Sequence, residues 1–295
     1  MIRMPGTSHA GPPPPLTGEG RALSLRLRLH VAALAANERN ADLEAPARYI
    51  EAAFSRIGLT PQSHYFESGG RRVRNIEVPN DSPILVGAHY DTVPGSPGAD
   101  DNASGVAVLI ELAAILGNAA LPVRFVAFAN EEAPYFYGPE MGSWAWAKRA
   151  RDRRDEIRAM FSLEMLGYYR DTPGSQKYPA PLGLFYPDRA DFIAFVGDLG
   201  ARSLVRQAIK VFREKSMFPS EGVAAPAFIP GVTWSDHWSF RRHGYPAIMI
   251  TDTAFYRYPH YHAPSDTPDK LDYERMARVT LGLAEMLKEL ANESR

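Results

Sequence analysis

Several short apolar runs in this chain end on an ionisable residue. Ile84 to Gly87 leads to His89, Val123 to Ala129 leads to Asn130-Glu131-Glu132, and Met160 to Leu163 leads to Glu164. Runs without polar alternation are expected to form strands buried on both faces. Between and around them the spacing turns helical. Leu23 to Leu59 reads as two helices, the second closed by Gly58, and Gly105 to Leu116 as another. Val73 to Val78 reads as a strand, Gly183 to Lys215 as a strand followed by a helix, and Val223 to Ala227 as extended. Pro246 to Thr251 is a last strand, and Tyr273 to Leu290 an amphipathic terminal helix. This alternation predicts an α/β fold: three αβα layers around a twisted, mixed and mostly parallel sheet. In such sheets ligands collect at the carboxyl ends of strands, which is where His89, Glu131-Glu132 and Glu164 fall.

Composition narrows what these residues can do. The chain has 295 residues, 45% hydrophobic and 23% charged, an ordinary globular balance. A net charge of -1 gives no reason to expect nucleic acid or an anionic membrane as partner. There is no cysteine, which excludes disulfides, thiolate zinc sites and a Cys nucleophile, so any metal must be held by His, Asp and Glu. Residues 1–20 are rich in Pro and Gly and are expected to be a disordered leader. They lack the apolar segment of a signal peptide, and no stretch approaches ~20 uninterrupted apolar residues. A soluble, cytoplasmic protein without a membrane partner is expected. No repeat or linker interrupts residues 21–295, which are expected to form one catalytic domain.

Five local patterns carry chemistry. In His89-Tyr90-Asp91 the two side chains separated by one extended residue point the same way, as in a metal-binding His buttressed by a carboxylate. Asp100-Asp101-Asn102-Ala103-Ser104-Gly105 opens a helix. Helix capping accounts for one of its aspartates, but two adjacent carboxylates repel unless a cation neutralises them. Glu131 and Glu132 diverge at a strand end, so one can bind metal while the other faces substrate as a general base. In the fourth pattern Glu164 directly follows the apolar run Met160 to Leu163. His262 lies in Tyr261-His262-Ala263-Pro264-Ser265-Asp266-Thr267, whose Asp-Thr-Pro continuation is expected to cap and start the last helix. Two His and three carboxylates, one of them shared, would give each of two zinc ions a His and a terminal carboxylate with room for a bridging water.

The order and context of these motifs resemble the co-catalytic zinc aminopeptidases of the bacterial leucine aminopeptidase type, across about residues 84 to 271. Gly-Ala-Asp-Asp-Asn-Ala-Ser-Gly is the most specific of the motifs. The resemblance implies a zinc-exopeptidase fold, two zinc ions, and a peptide or small aminoacyl substrate. It implies His89 and Glu132 as terminal ligands of different ions, Asp101 rather than Asp100 as the bridge, and Glu164 and His262 completing the two sets. It further implies Asp91 orienting His89, Glu131 as general base, and Tyr261 hydrogen-bonding the tetrahedral intermediate. Two departures stand out. The position of Glu164 is more often Asp in the family, and the segment from Ala133 to Ser143 is longer than the short turn of many relatives, its aromatic content suggesting a lid or substrate wall, with surface packing as the alternative. Ser235-Asp236-His237-Trp238 is expected at the site edge, with His237, His243 and His260 outside the ligand set. Tyr168, Tyr169, Phe255 and Tyr256 are candidates for a specificity pocket. The alternatives from other classes are a single-zinc glutaminyl cyclase, known on the same fold, and a non-catalytic metal-binding domain.

Overall fold

The computed structural model describes residues 3–117 and 123–292. Met1 and Ile2 of the expected leader, and residues 118–122 and 293–295 of the expected domain, lie outside it. In chain order the elements are α1 (Gly18–Leu34), α2 (Glu44–Arg56), β1 (Gln62–Ser68), β2 (Arg71–Val78), β3 (Ile84–His89), α3 (Gly105–Leu116), β4 (Arg124–Phe128) and α4 (Gly142–Arg153). They continue with β5 (Ala159–Glu164), β6 (Ile193–Asp198), α5 (Arg202–Lys215), β7 (Ser220–Ala225), α6 (His237–Arg242), β8 (Ala247–Thr251) and α7 (Tyr273–Asn292).

The strands form one mixed sheet in the order β1-β2-β4-β3-β5-β8-β6-β7. Its centre, β4-β3-β5-β8, is parallel throughout, while β1 and β2 join antiparallel at one side and β6 pairs antiparallel with β8 at the other. The central strands bury both faces, as their unbroken apolar character requires. Val86, Ala88, Phe161 and Leu163 pack with α1, α3, α5 and α7, whereas Leu85, Val126, Phe128 and Met160 pack with Trp146 of α4 and Phe240 of α6. The result is three layers. Phe161 and Phe195 are wholly buried, so truncating either to Ala would cost ~3–5 kcal/mol.

Three local expectations change. The sequence reading passed over β1, a mostly polar rim strand whose residues are nearly all exposed or half-buried and show no apolar alternation. Residues 3–8, within the stretch expected to be disordered, lie against the opposite edge. Ser220 of β7 donates its N–H to Ser8 Oγ at 2.9 Å, and Arg206 and Arg213 of α5 donate to the carbonyls of Arg3 and Pro5. An edge strand with free N–H groups gains partners this way. Helix α1 already begins at Gly18, capped by the Thr17 hydroxyl. Finally, Asp266 does not cap the last helix. Residues Pro268–Lys270 make a separate turn, and Asp272 caps α7 by accepting the Arg275 N–H at 3.0 Å.

Candidate active site

The parallel register places the carboxyl ends of β3, β4 and β5 side by side, with His89 opposite Phe128. His89 is the last residue of β3, Glu164 the last of β5, and Glu131 and Glu132 follow β4 closely. Just past two of these strand ends the backbone turns through the left-handed region, at Asn130 (φ 57°) and Met165 (φ 50°). Those turns fold the following chain over the sheet's rim. Asn suits this conformation, and its amide here is tied to Ser68 Oγ at 2.8 Å.

Asp101 sits in the turn from 99 to 104 that runs into α3. One of its carboxylate oxygens lies 3.3 Å from His89 Nε2, and the other 3.0 Å from His262 Nε2. His89 Nε2 is also 3.4 Å from Glu164 Oε2, and His262 Nε2 is 3.3 Å from Glu132 Oε1. The cluster therefore divides into His89 with Glu164 and His262 with Glu132, with Asp101 between them. The five side chains expected to bind metal are brought together. Asp100 is turned elsewhere: its Oδ1 accepts the Gly167 N–H at 2.8 Å, and burial with the nearby Asp252 holds its carboxyl well above the usual range.

The chemistry of this donor set fits a cation. His89, Asp101 and Glu132 offer ligand atoms within 4.8 Å of one another, all on buried residues. Asp101 Oδ1 and Glu132 Oε1 are buried without a hydrogen-bond partner. Burying carboxylates this way is costly unless positive charge compensates. The electrostatics show the strain on the bare protein. Burial, with Asp101 beside it, raises Glu132 to about 7 despite His262. Burial pushes His262 down, but Asp101 and Glu132 outweigh it and lift the imidazole to about 10. Burial, followed by the opposing pull of His89 and the push of Glu132 and Glu164, leaves Glu131 well above the ordinary carboxylate range.

The supporting contacts span long stretches of chain. Asp91 lies 3.5 Å from His89 Nδ1 and accepts the N–H groups of both Glu131 and Glu132 at 3.0 Å. Asp266 accepts the N–H groups of Asp100 (2.8 Å) and Asp101 (3.1 Å), and is itself held by the Tyr258 hydroxyl. Ser235 Oγ donates to Glu164 Oε2 at 2.7 Å. Asn102 ties the same turn to β5 through Leu163 O and the Met165 N–H. Beneath them Arg39, wholly buried, donates to the carbonyls of Leu34, Tyr90, Pro97 and Gly98. Gly98 has φ 62°, and a side chain there would strike Asp101 O and Thr92. Sequence reasoning assigned no role to Arg39, placed Ser235 only at the site edge, and took Asp266 for a cap. The adjacency of Asp266 to the His262 motif was the available signal.

Tyr261 stacks on His262, with ring centroids 3.8 Å apart. With Glu164 it borders an apolar pocket lined by Phe255, Tyr256, Trp234, Met249 and Val223, among others. Tyr168 and Tyr169 do not line it: Tyr169 is buried with its hydroxyl on Leu166 O, and Tyr168 packs against Tyr258. The aromatic segment after Glu132 packs on itself and on α6. Phe136 stacks on Tyr137, which packs on Trp238 and hydrogen-bonds Thr233 at 2.5 Å. His237, His243 and His260 contact Val232 O, Ser239 O and Ser265 Oγ respectively. Asp236 is buried with neither oxygen hydrogen-bonded.

The model of peptidase family M28 matches residues 73–287. The chain belongs to peptidase family M28. That makes this M28 member a hydrolase of the peptidase class. It is 42% identical over 262 residues to the uncharacterized protein YfbL of Escherichia coli K12, covering 83% of this chain and 80% of that one. It is 28% identical over 220 residues to leucine aminopeptidase 1 of Ajellomyces dermatitidis, covering 68% of this chain but only 51% of the relative, so it spans about half that protein. The fold matches LapB of Legionella pneumophila with a TM-score of 0.70 at 21% identity, over 97% of this chain and 78% of that one. It also matches Fimbriiglobus ruber glutaminyl cyclase with a TM-score of 0.66 at 19% identity, over 95% and 97%. Among the described residues, no helix of this M28 member is long and apolar enough to cross a membrane.

Proposed function

We propose that this zinc-dependent hydrolase is an aminopeptidase that cuts the first peptide bond of unblocked peptides with two zinc ions. His89, Glu164 and one oxygen of Asp101 would hold the first ion; His262, Glu132 and the other oxygen of Asp101 would hold the second. The observation that carries this reading is the division of the Asp101 carboxylate between two His-and-Glu sets. Zinc bound there supplies Lewis acidity, lowering the pKa of a water and polarising a carbonyl.

The remaining work falls to the chain. Glu131 takes a proton from the attacking water at its carboxylate. It returns that proton to the departing amine nitrogen as the carbon–nitrogen bond breaks. Asp91 orients His89 through Nδ1 and fixes the backbone that carries Glu131 and Glu132. The Tyr261 hydroxyl, kept protonated by burial and then by Asp101 and Glu132, donates to the oxygen of the tetrahedral centre. The apolar pocket beside Glu164 and Tyr261 takes the first side chain.

The test combines metal counting by mass spectrometry with assays on leucine p-nitroanilide and an N-terminal glutaminyl peptide. Two zinc ions per chain and anilide hydrolysis are expected, with no cyclised glutaminyl product. Glu131→Gln should keep both ions and lose turnover by about 10²–10⁴-fold. One zinc with cyclised product would assign a glutaminyl cyclase instead, and zinc without any turnover would assign a binding domain.

A further inference from the structure

The apolar pocket runs sideways across the sheet, and strand register fixes its floor. Glu164 of β5 pairs with Thr251 of β8, Thr251 with Ala194 of β6, and Ala194 with Glu221 of β7. Residues directly paired across strands point to the same face. All four line the pocket. The floor is thus one row with a carboxylate at each end and two short side chains between. Strands lie ~4.8 Å apart, so the backbone of Glu221 sits roughly 14 Å from that of Glu164.

Glu221 is placed to receive a ligand at the far end. It alternates with Val223 and Ala225 on the pocket face, while Gly222 faces Met4 and Ile209 on the other. Its side chain is one-quarter exposed. Arg213 forms an ion pair with it at 3.7 Å without a hydrogen bond, its guanidinium donating instead to Ser220 and to the carbonyls of Pro5 and Gly6, so the Glu221 carboxylate keeps acceptor capacity. Tyr178 and Tyr186, stacked with centroids 5.6 Å apart, line the same end. The Tyr186 hydroxyl donates to Gly222 O, the carbonyl of the residue after Glu221, which holds the ring at this end of the row. Aromatic faces beside a carboxylate suit a cation.

We propose that Glu221 recognises a cationic side-chain end, so that peptides beginning with Lys or Arg are preferred substrates. The inference rests on the aminopeptidase reading. A lysine stem spans roughly 6 Å, and with a hydrogen bond and the reach of Glu221 the total is roughly 13 Å, which matches the row. Thr251 and Ala194 leave the stem room, and the apolar walls cover its methylenes. A branched apolar residue would fill only the near half.

The experiment compares kcat/KM for lysine, arginine, norleucine and leucine p-nitroanilides. Norleucine keeps the stem of lysine without its ammonium. Lysine should exceed norleucine by about tenfold, as expected of a charge-assisted hydrogen bond in a partly screened setting, with the difference in KM. Glu221→Gln should bring the lysine-to-norleucine ratio to about one, and Glu221→Asp should restore part of it. Wild-type enzyme that turns over lysine no better than norleucine overturns the proposal without needing any variant. So does a Gln variant with the ratio unchanged. Turnover of none of the four substrates overturns the aminopeptidase reading together with this one.

Discussion

His89 and His262 approach opposite oxygens of the same carboxylate, yet the side chain of one is 1% exposed and of the other 35%. His89 ends a strand flanked on both sides by parallel neighbours, so its position is set by the sheet. His262 hangs in a loop, with φ 55°, between Tyr261 and the turn anchored by Asp266. A ligand on a strand end is held by the ladder and by packing on both faces. A ligand on a loop is held by a few side-chain contacts and stays open to solvent. His89 is therefore the anchored histidine of the cluster and His262 the more open one.

Asp101→Asn tests both halves together and should have the largest effect. Neutralising the shared carboxylate should remove both zinc ions and lower turnover by more than the ~10–100-fold expected of an outer supporting residue. Retention of two ions, counted by mass spectrometry, would falsify the bridging assignment. His262→Ala separates the halves. It should leave one zinc that resists chelator competition, whereas His89→Ala should leave none that does so. Equal chelator sensitivity in the two variants would end the asymmetry. Asp266→Asn should act least, because it keeps one acceptor for the N–H groups of Asp100 and Asp101 but loses the charge. Zinc affinity should fall ~10–100-fold in both halves alike, since both lean on Asp101. A loss confined to the exposed half would mean that Asp266 supports only the His262 loop.

How much was legible followed from the range of each interaction. The central strands could be read because burial on both faces leaves an unbroken apolar run, a pattern written in adjacent residues. The rim strand β1 could not, since its mostly polar, largely exposed or half-buried residues look like a loop. The stretch around residues 3–8 read as disordered because its composition carries no information about the bare edge of β7, more than 200 positions away. Asp266 read as a helix cap because caps are local. Its actual partners, the N–H groups of Asp100 and Asp101, lie about 165 residues upstream.

The sequence by itself determined the alternating α/β architecture and placed His89, Glu131-Glu132 and Glu164 at strand ends, because strand burial and turn chemistry are short-range. Motif order then supplied the candidate roles, through a resemblance rather than through physics. Only the tertiary structure decided that Asp101 divides its oxygens between His89 and His262 while Asp100 turns away. Only strand register aligned Glu164 with Glu221 across three strand spacings. Both depend on how distant segments are laid side by side, and no local run of residues encodes that spacing.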